Sequence, residues 1–285
     1  MAIESLFAEK TVFSFEIFPP KREAPISTVY QMLREMKGIS PDFISVTYGA
    51  GGSVQSRATL EICEFIRADL GIESVAHMPA LYLTKSGVER LLEILKDKGI
   101  RNILALRGDR AEGEEPAGDF THASDLAAFI RRRGDFHIIG AAYPEGHQES
   151  ENIVEDTLNL RKKVDAGVSH LITQLFFDND YFYRLRERLD LAGIHVPVEA
   201  GIMPVTNEKQ IKRMATLCGA TLPKKFLDMM DRYAGNPLAI RDAGLAYAID
   251  QIVDLAAHDV DGIHLYTMNN PYIAKTIYNA VVNLL

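Results

Sequence analysis

The chain is poor in the features that mark several large protein classes. It has only two cysteines, Cys63 and Cys218, far apart and with no CxxC spacing. That excludes an iron–sulfur or structural zinc framework built from this chain and fits a reducing compartment, where each thiol is a small buried hydrophobe. The opening MAIESLFAEK has no basic segment followed by an apolar one, and no apolar run is long enough to span a bilayer. A cytoplasmic location without membrane association is therefore expected. Positive charge is also scarce: the net charge is −8 and the pI about 5.5. This argues against broad binding to nucleic acid or anionic lipid. The one basic run, Arg131 to Arg133, ends a predicted helix, where cations suit the helix dipole. No GxGxxG follows any predicted strand, and the GAGGS at Gly49–Ser53 lacks the Lys-Ser/Thr of a P-loop. Rossmann-type dinucleotide binding is disfavoured.

What is present is ordinary for a globular protein with a large core: 285 residues, 47% hydrophobic and 25% charged. No linker or low-complexity tract divides the chain, so residues 1–285 read as a single domain. One supersecondary unit recurs. A helical stretch closes at Gly followed by a β-branched residue, and a strand begins soon after. This happens at Gly38-Ile39, Gly71-Ile72, Gly99-Ile100, Gly167-Val168 and Gly193-Ile194, with looser versions at Gly134 and Val260. Glycine takes the left-handed conformation of a helix C-terminus cheaply. The interval, roughly thirty residues, is the size of one βα unit.

The predicted strands are Val12–Phe18, Phe43–Tyr48, Ser74–His77, Asn102–Leu106, His137–Tyr143, His170–Phe176, Val198–Met203 and Gly262–Tyr266. Between them lie helices: Ser86 with Glu89 reads as a capping box ahead of the stripe Val88, Leu91, Leu92 and Leu95, and Ile153, Thr157, Leu160 and Val164 form a second stripe. Eight strands alternating with helices predict an α/β fold that closes as a (β/α)8 TIM barrel. A doubly wound open sheet is the weaker alternative.

The first strand carries an acid where simple folding would not place one. Phe13, Phe15 and Ile17 form a large apolar face, while Val12, Ser14, Glu16 and Phe18 point the other way. Pro19 and Pro20 end the strand. In an open sheet Glu16 would be a solvated edge residue. In a closed barrel it faces the lumen near the carboxyl-terminal rim, where burial would raise its pKa toward a proton donor's range. Other polar residues gather at the same strand ends: Ser45 to Ala50, His77, Arg107-Gly108-Asp109, Tyr143 to His147, Thr173-Gln174 and Tyr266 to Asn269. Each has a plainer explanation alone, as a satisfied core histidine, a rim ion pair or a loop amide. Their convergence on one rim is what a catalytic mouth would show. Asp156, Asn159 and Lys163, spaced i, i+3, i+7, share a helix face beside that rim. They form either a solvated face or contacts to the phosphate or sugar of a cofactor.

Six segments together resemble one family: FEIFPPK at Phe15–Lys21, SVTYGAGGS at Ser45–Ser53, ALRGD at Ala105–Asp109, AAYPEGH at Ala141–His147, NLRKKVDAG at Asn159–Gly167 and ITQLFFD at Ile172–Asp178. In this order they resemble the bacterial methylenetetrahydrofolate reductases. The resemblance implies a barrel flavoprotein with noncovalent FAD. It would pass hydride from NADH or NADPH to flavin, then to 5,10-methylenetetrahydrofolate, yielding 5-methyltetrahydrofolate by a ping-pong scheme. It makes Glu16 the general acid that opens the imidazolidine ring, and Asp109 the carboxylate near flavin and folate that stabilises the iminium cation. Gln174, Gln210 and Tyr266 fall to the folate, and Thr47 to the nicotinamide. FAD contacts are implied for Tyr48, Ala50, His77, Arg107, Gly108, Ala123, Tyr143, His147, Asp156, Asn159, Lys162 and Lys163.

Three positions depart from the family pattern. Asn270 stands where the better-known members have an arginine toward the folate tail, Met214 replaces a stacking aromatic, and Lys162 replaces an arginine at an FAD contact. A regulatory second domain and adenosylmethionine feedback are not expected, and a homo-oligomer is. Two other readings remain open. A metal-dependent barrel hydrolase would use His77, Asp109 and His147, but the His-x-His such enzymes need on the first strand is here Phe15-Glu16-Ile17. Alternatively, a flavin- and folate-binding subunit would take electrons from a partner protein.

Overall fold

In the computed structural model, which describes residues 3–20, 24–48, 53–110 and 115–285, eight parallel strands close into a barrel in chain order. They are β1 (Val12–Ile17), β2 (Phe43–Val46), β3 (Glu73–Pro79), β4 (Asn102–Leu106), β5 (His137–Ala142), β6 (His170–Thr173), β7 (Val198–Ile202) and β8 (Gly262–Tyr266). The ring closes where β1 pairs with β8, with Ser14 opposite His264 and Glu16 opposite Tyr266. The barrel expectation holds, and the open sheet is excluded.

The helices are α1 (Ile3–Leu6), α2 (Ser27–Glu35), α3 (Ser53–Leu70), α4 (Lys85–Asp97), α5 (Ala123–Arg131), α6 (Ile153–Asp165), α7 (Asn179–Leu191), α8 (Glu208–Cys218), α9 (Lys224–Arg232), α10 (Pro237–Ala257) and α11 (Pro271–Val281). Among the described residues none is long and apolar enough to cross a membrane. Gly38, Gly71, Gly99, Gly167 and Gly193 all adopt positive φ, as the recurring helix stop requires.

The period of two on each strand sorts its side chains between two cores. Phe13, Phe15 and Ile17 join the large shell between strands and helices. Val12 instead joins an inner cluster with Phe43, Val75, Leu104, Ile139 and Ile172, against which Ile3, Leu6 and Phe7 of the amino-terminal segment pack. That segment closes the barrel floor, so the lumen opens at the carboxyl-terminal ends of the strands.

Two helix details differ from expectation. The cap of α4 is Thr84, whose side chain accepts from Gly87 N at 3.1 Å, with its backbone extended at φ −83° and ψ 158°. Ser86 lies inside the helix, where its hydroxyl faces that of Thr84 at 3.2 Å. Glu89 accepts from Arg133 on α5's exit instead of closing a box. The inward residues of α6 are Asp156 and Leu160, whereas Ile153 is exposed. Leu160 and Val164 of the predicted stripe do meet the core, but at the first turn buried Asp156 turns inward in place of Ile153, which places that end of α6 at the site.

Candidate active site

Backbone geometry at β1's end positions Glu16. Its carbonyl accepts from Thr267 Oγ1 at 2.7 Å and Thr47 N donates to Ile17 O at 3.0 Å, tying β1's end to its neighbours. The Glu16 carboxylate then lies 3.6 Å from His77 Nε2 and 3.8 Å from His264 Nε2, with its side chain 20% exposed. The acid therefore stands at the boundary between lumen and mouth. Tyr266 completes this edge by donating to Thr173 O at 2.8 Å; burial raises its pKa well above the usual value, with Glu16 adding to the effect. Gly201 makes room for it, because a Cβ there would lie 2.3 Å from Thr173 O and 2.9 Å from the Tyr266 ring.

His264 was missed by the sequence reading. It stacks its ring edge against Tyr266 and faces Ser14 Oγ at 2.6 Å through Nδ1. The available signal was parity: Gly262, His264 and Tyr266 share one face of β8, and the middle member is the polar one.

A second group lines the β4–β5–α6 sector. Arg107 forms a two-pronged pair with Glu149 rather than with Asp109, which is exposed. Gly108 holds φ +86° against Pro79, where a Cβ would lie 2.9 Å from the proline's own. Tyr143 and His147 pack edge to face at 4.6 Å. Burial pushes Tyr143 up to about 12, with the Asp109 charge acting the same way, while burial and then Arg107 lower His147. Asp156 is buried; one of its oxygens accepts from His147 N at 3.1 Å, and the other has no hydrogen-bond partner among the described residues. Lys163 donates to Ala141 O at 2.7 Å and is held down to about 8 by burial, against the pull of Asp156.

The remaining expected residues scatter more widely. Asn159 accepts from the exposed Lys162 at 2.9 Å, Ala123 begins α5 and is buried, and Gln174 folds back to accept from Leu175 N. Thr47 and Tyr48 are half-buried at the end of β2. Ala50 and Lys21 lie outside the described residues, and so does the side chain of Gln210 on α8. Asn270 is the cap of α11, accepting from Tyr272 N at 3.0 Å, so this departure has a local structural role. Met214 borders a small recess of mixed lining, formed with Met203, Val205, Ile211 and Met268 on one side and Thr206 and Asn207 on the other. Among the described residues no group of three or more His, Cys, Asp or Glu is arranged to hold a metal.

Burial of the imidazoles has a consequence for stability. His77 is held down to about 4, and His137 and His170 each to about 3, in every case chiefly by burial. Each contributes stability that is whole above 6.5 and is lost as pH falls through the depressed folded value. Glu199 acts in the opposite sense: burial raises it to about 7, so its contribution is whole in acid and is lost as pH rises through that value. Three imidazoles against one carboxyl decide the sign, at on the order of a few kcal/mol per group. Thermal unfolding is expected at progressively lower temperature as pH drops from about 6.5 to 4, and His137→Gln should flatten the decline. An unchanged midpoint over that range would show that these rings protonate within the fold.

This arrangement defines the protein's class: a (β/α)8 barrel with an acid and two imidazoles where its lumen meets the catalytic rim of that architecture. The chain belongs to the methylenetetrahydrofolate reductase family, whose model matches residues 2–282. It is 34% identical to the 5,10-methylenetetrahydrofolate reductase of Escherichia coli K12 over 93% of this chain and 88% of that one. Identity is 33% to methylenetetrahydrofolate reductase (NADH) 1 of Arabidopsis thaliana, covering 96% of this chain but 48% of the plant protein. A Clostridium thermocellum protein described as binding two copies of 5-methyl-5,6,7,8-tetrahydrofolic acid shares the fold, with a TM-score of 0.66 at 14% identity over 98% of this chain and 97% of that one.

Proposed function

We propose that the protein reduces 5,10-methylenetetrahydrofolate to 5-methyltetrahydrofolate with NADH or NADPH, through noncovalent FAD. Family membership supports the folate reaction, and the observation that carries the residue assignment is Glu16, held between His77 and His264 at the lumen mouth. The β4–β5–α6 sector fits the flavin nucleotide. The unpartnered oxygen of buried Asp156 suits a ribose hydroxyl, and the ammonium of Lys163 suits a phosphate. Arg107 can join it, because its partner Glu149 is exposed and a surface pair is weak. Tyr48, Ala50, His77, Gly108, Ala123, Tyr143, His147, Asn159 and Lys162 complete that set. Bound FAD would supply the hydride carrier between nicotinamide and folate.

The chain's own residues supply the proton and the field. Glu16 donates a proton to the folate nitrogen as its bond to the methylene carbon breaks, and the electron pair of that bond stays on the nitrogen. The methylene is left as an iminium that accepts hydride to become the methyl group. Asp109 is exposed without ligands, where its charge is screened. Flavin and folate filling the mouth would exclude water and strengthen its attraction for the cation. Asp109→Asn is expected to slow folate reduction by roughly 10-fold or more; unchanged folate kinetics would remove Asp109 from the reaction. Gln174, Gln210 and Tyr266 would hold the folate, with Gln174 releasing its contact to Leu175 N, and Thr47 the nicotinamide.

Because both substrates would use one mouth, initial-rate plots at several folate concentrations should be parallel, the pattern of a ping-pong scheme. Intersecting lines would contradict the shared site. Flavin reduction by a protein donor instead of NADH or NADPH is the second reading, kept open by Met214 at a position where the family resemblance implies a stacking aromatic.

A further inference from the structure

Below the mouth lies a second acid that the proposed reaction leaves unused. Glu199 of β7 is fully buried, as are Ser14, His170 and His264 around it. Ser14 Oγ is 2.7 Å from Glu199 Oε1 and 2.6 Å from His264 Nδ1. The far nitrogen of that imidazole faces Glu16 at 3.8 Å and Ser45 Oγ at 3.4 Å. The other Glu199 oxygen lies 2.8 Å from His170 Nε2. Among the described residues no lysine or arginine pairs with this carboxyl, and a buried acid without a cation is costly for stability. A structural role explains its presence poorly.

Counting hydrogens shows what the row can do. Ser14 has one proton for its two close contacts, Glu199 and His264; a third, to Ile263 O, is longer at 3.5 Å. With Glu199 ionised, Ser14 donates to it and accepts from His264 Nδ1–H, so Nε2 turns a lone pair toward Glu16. With Glu199 protonated, the acid donates to Ser14, Ser14 donates to Nδ1, and Nε2–H points at the Glu16 carboxylate. The two arrangements interconvert when three protons each move one step, with one proton transferred in effect between the carboxyls. The Nε2 to Glu16 step, at 3.8 Å, is the one that must shorten on substrate binding, as catalytic contacts do.

We propose that Glu199 is the proton reserve of the general acid, restoring Glu16 through Ser14 and His264 while bound ligands seal the mouth. The inference rests on the reductase reading above. In each turnover Glu16 loses its proton to the folate nitrogen and regains one from His264, which is replenished through Ser14 from Glu199. The Glu199 carboxylate recovers a proton from solvent through the same row once product leaves, so one solvent proton is consumed per folate reduced.

The groups facing Glu199 agree with this. Burial raises it to about 7, with Asp42 and Asp261 pushing the same way and His264 and the Ser14 hydrogen bond opposing. His170 is kept neutral by burial, so it stands 2.8 Å from the second Glu199 oxygen without supplying a cation, in contact but not aligned as a hydrogen bond. Glu199 is a positioning and storage group that never touches substrate.

Glu199→Gln keeps the shape and removes the exchangeable proton. Two measurements test the proposal. In infrared difference spectra of the wild type, a protonated carboxyl signal should titrate near pH 7 and be missing in the variant. In single-turnover oxidation of the reduced enzyme by 5,10-methylenetetrahydrofolate, the variant should be about 10-fold slower or worse at neutral pH and should lose one ionisation from its pH profile, with flavin reduction by NADH or NADPH unaffected. A variant with the wild-type folate rate and pH profile overturns the proposal, as does a wild type with no carboxyl titrating near 7. Should Glu199→Gln fail to fold, His170→Gln must shift the same infrared signal, and an unshifted signal counts against it. A wild type that reduces no folate at all defeats the reductase reading instead, whatever the infrared shows.

Discussion

Glu16→Gln is expected to lower the rate of folate reduction by on the order of 10²- to 10⁴-fold, the range for loss of a positioned acid. FAD binding and flavin reduction by nicotinamide should survive. The asymmetry follows from chemistry: only the folate step breaks a carbon–nitrogen bond whose departing nitrogen needs a proton. Glutamine preserves the packing against His77 and His264 but has no proton of suitable acidity to give. Stopped-flow measurement of the two half-reactions separates the cases. If both proceed at wild-type rates, Glu16 is not the acid; if both fail, the substitution has damaged the mouth as a whole.

The second large effect is structural. Gly244 is buried in α10, and a Cβ there would sit 1.8 Å from the carbonyl oxygen of Val205 and 2.7 Å from its carbon. In an unhindered helix, replacing glycine by alanine stabilises by about 1 kcal/mol. Here the obstacle is backbone, which cannot rotate aside, and overpacking of this kind costs about 1–3 kcal/mol or more. The steric cost wins, so Gly244→Ala should lower the melting temperature by several degrees. An equal or higher melting temperature would show that the α10 contact is looser than described.

The architecture was legible because its signals are local. Strand parity and the recurring helix-stop glycines each need only a few neighbouring residues, and together they predicted eight units in the observed order. Strand limits were less accurate: β6 ends at Thr173 instead of Phe176, and β3 runs from Glu73 to Pro79 instead of Ser74 to His77. Such limits depend on how far the adjacent strand continues, which one segment does not record. Asn270 shows the same limit in the site, where a departure from the family pattern proved to cap a helix.

Glu16 and the rim could be placed from the sequence because barrel geometry gathers strand ends. The row beneath could not. Ser14 meets Glu199 across 185 positions and His264 across 250, and no periodicity joins such partners. Only closure of β1 on β8 brings them together.

The most direct test of the account is an anaerobic mixing experiment on the purified protein. It predicts a yellow protein whose colour is discharged by NADH or NADPH and restored by 5,10-methylenetetrahydrofolate, with one methyl product formed per flavin reoxidised. A colourless protein, or a reduced flavin that 5,10-methylenetetrahydrofolate leaves bleached, would contradict it.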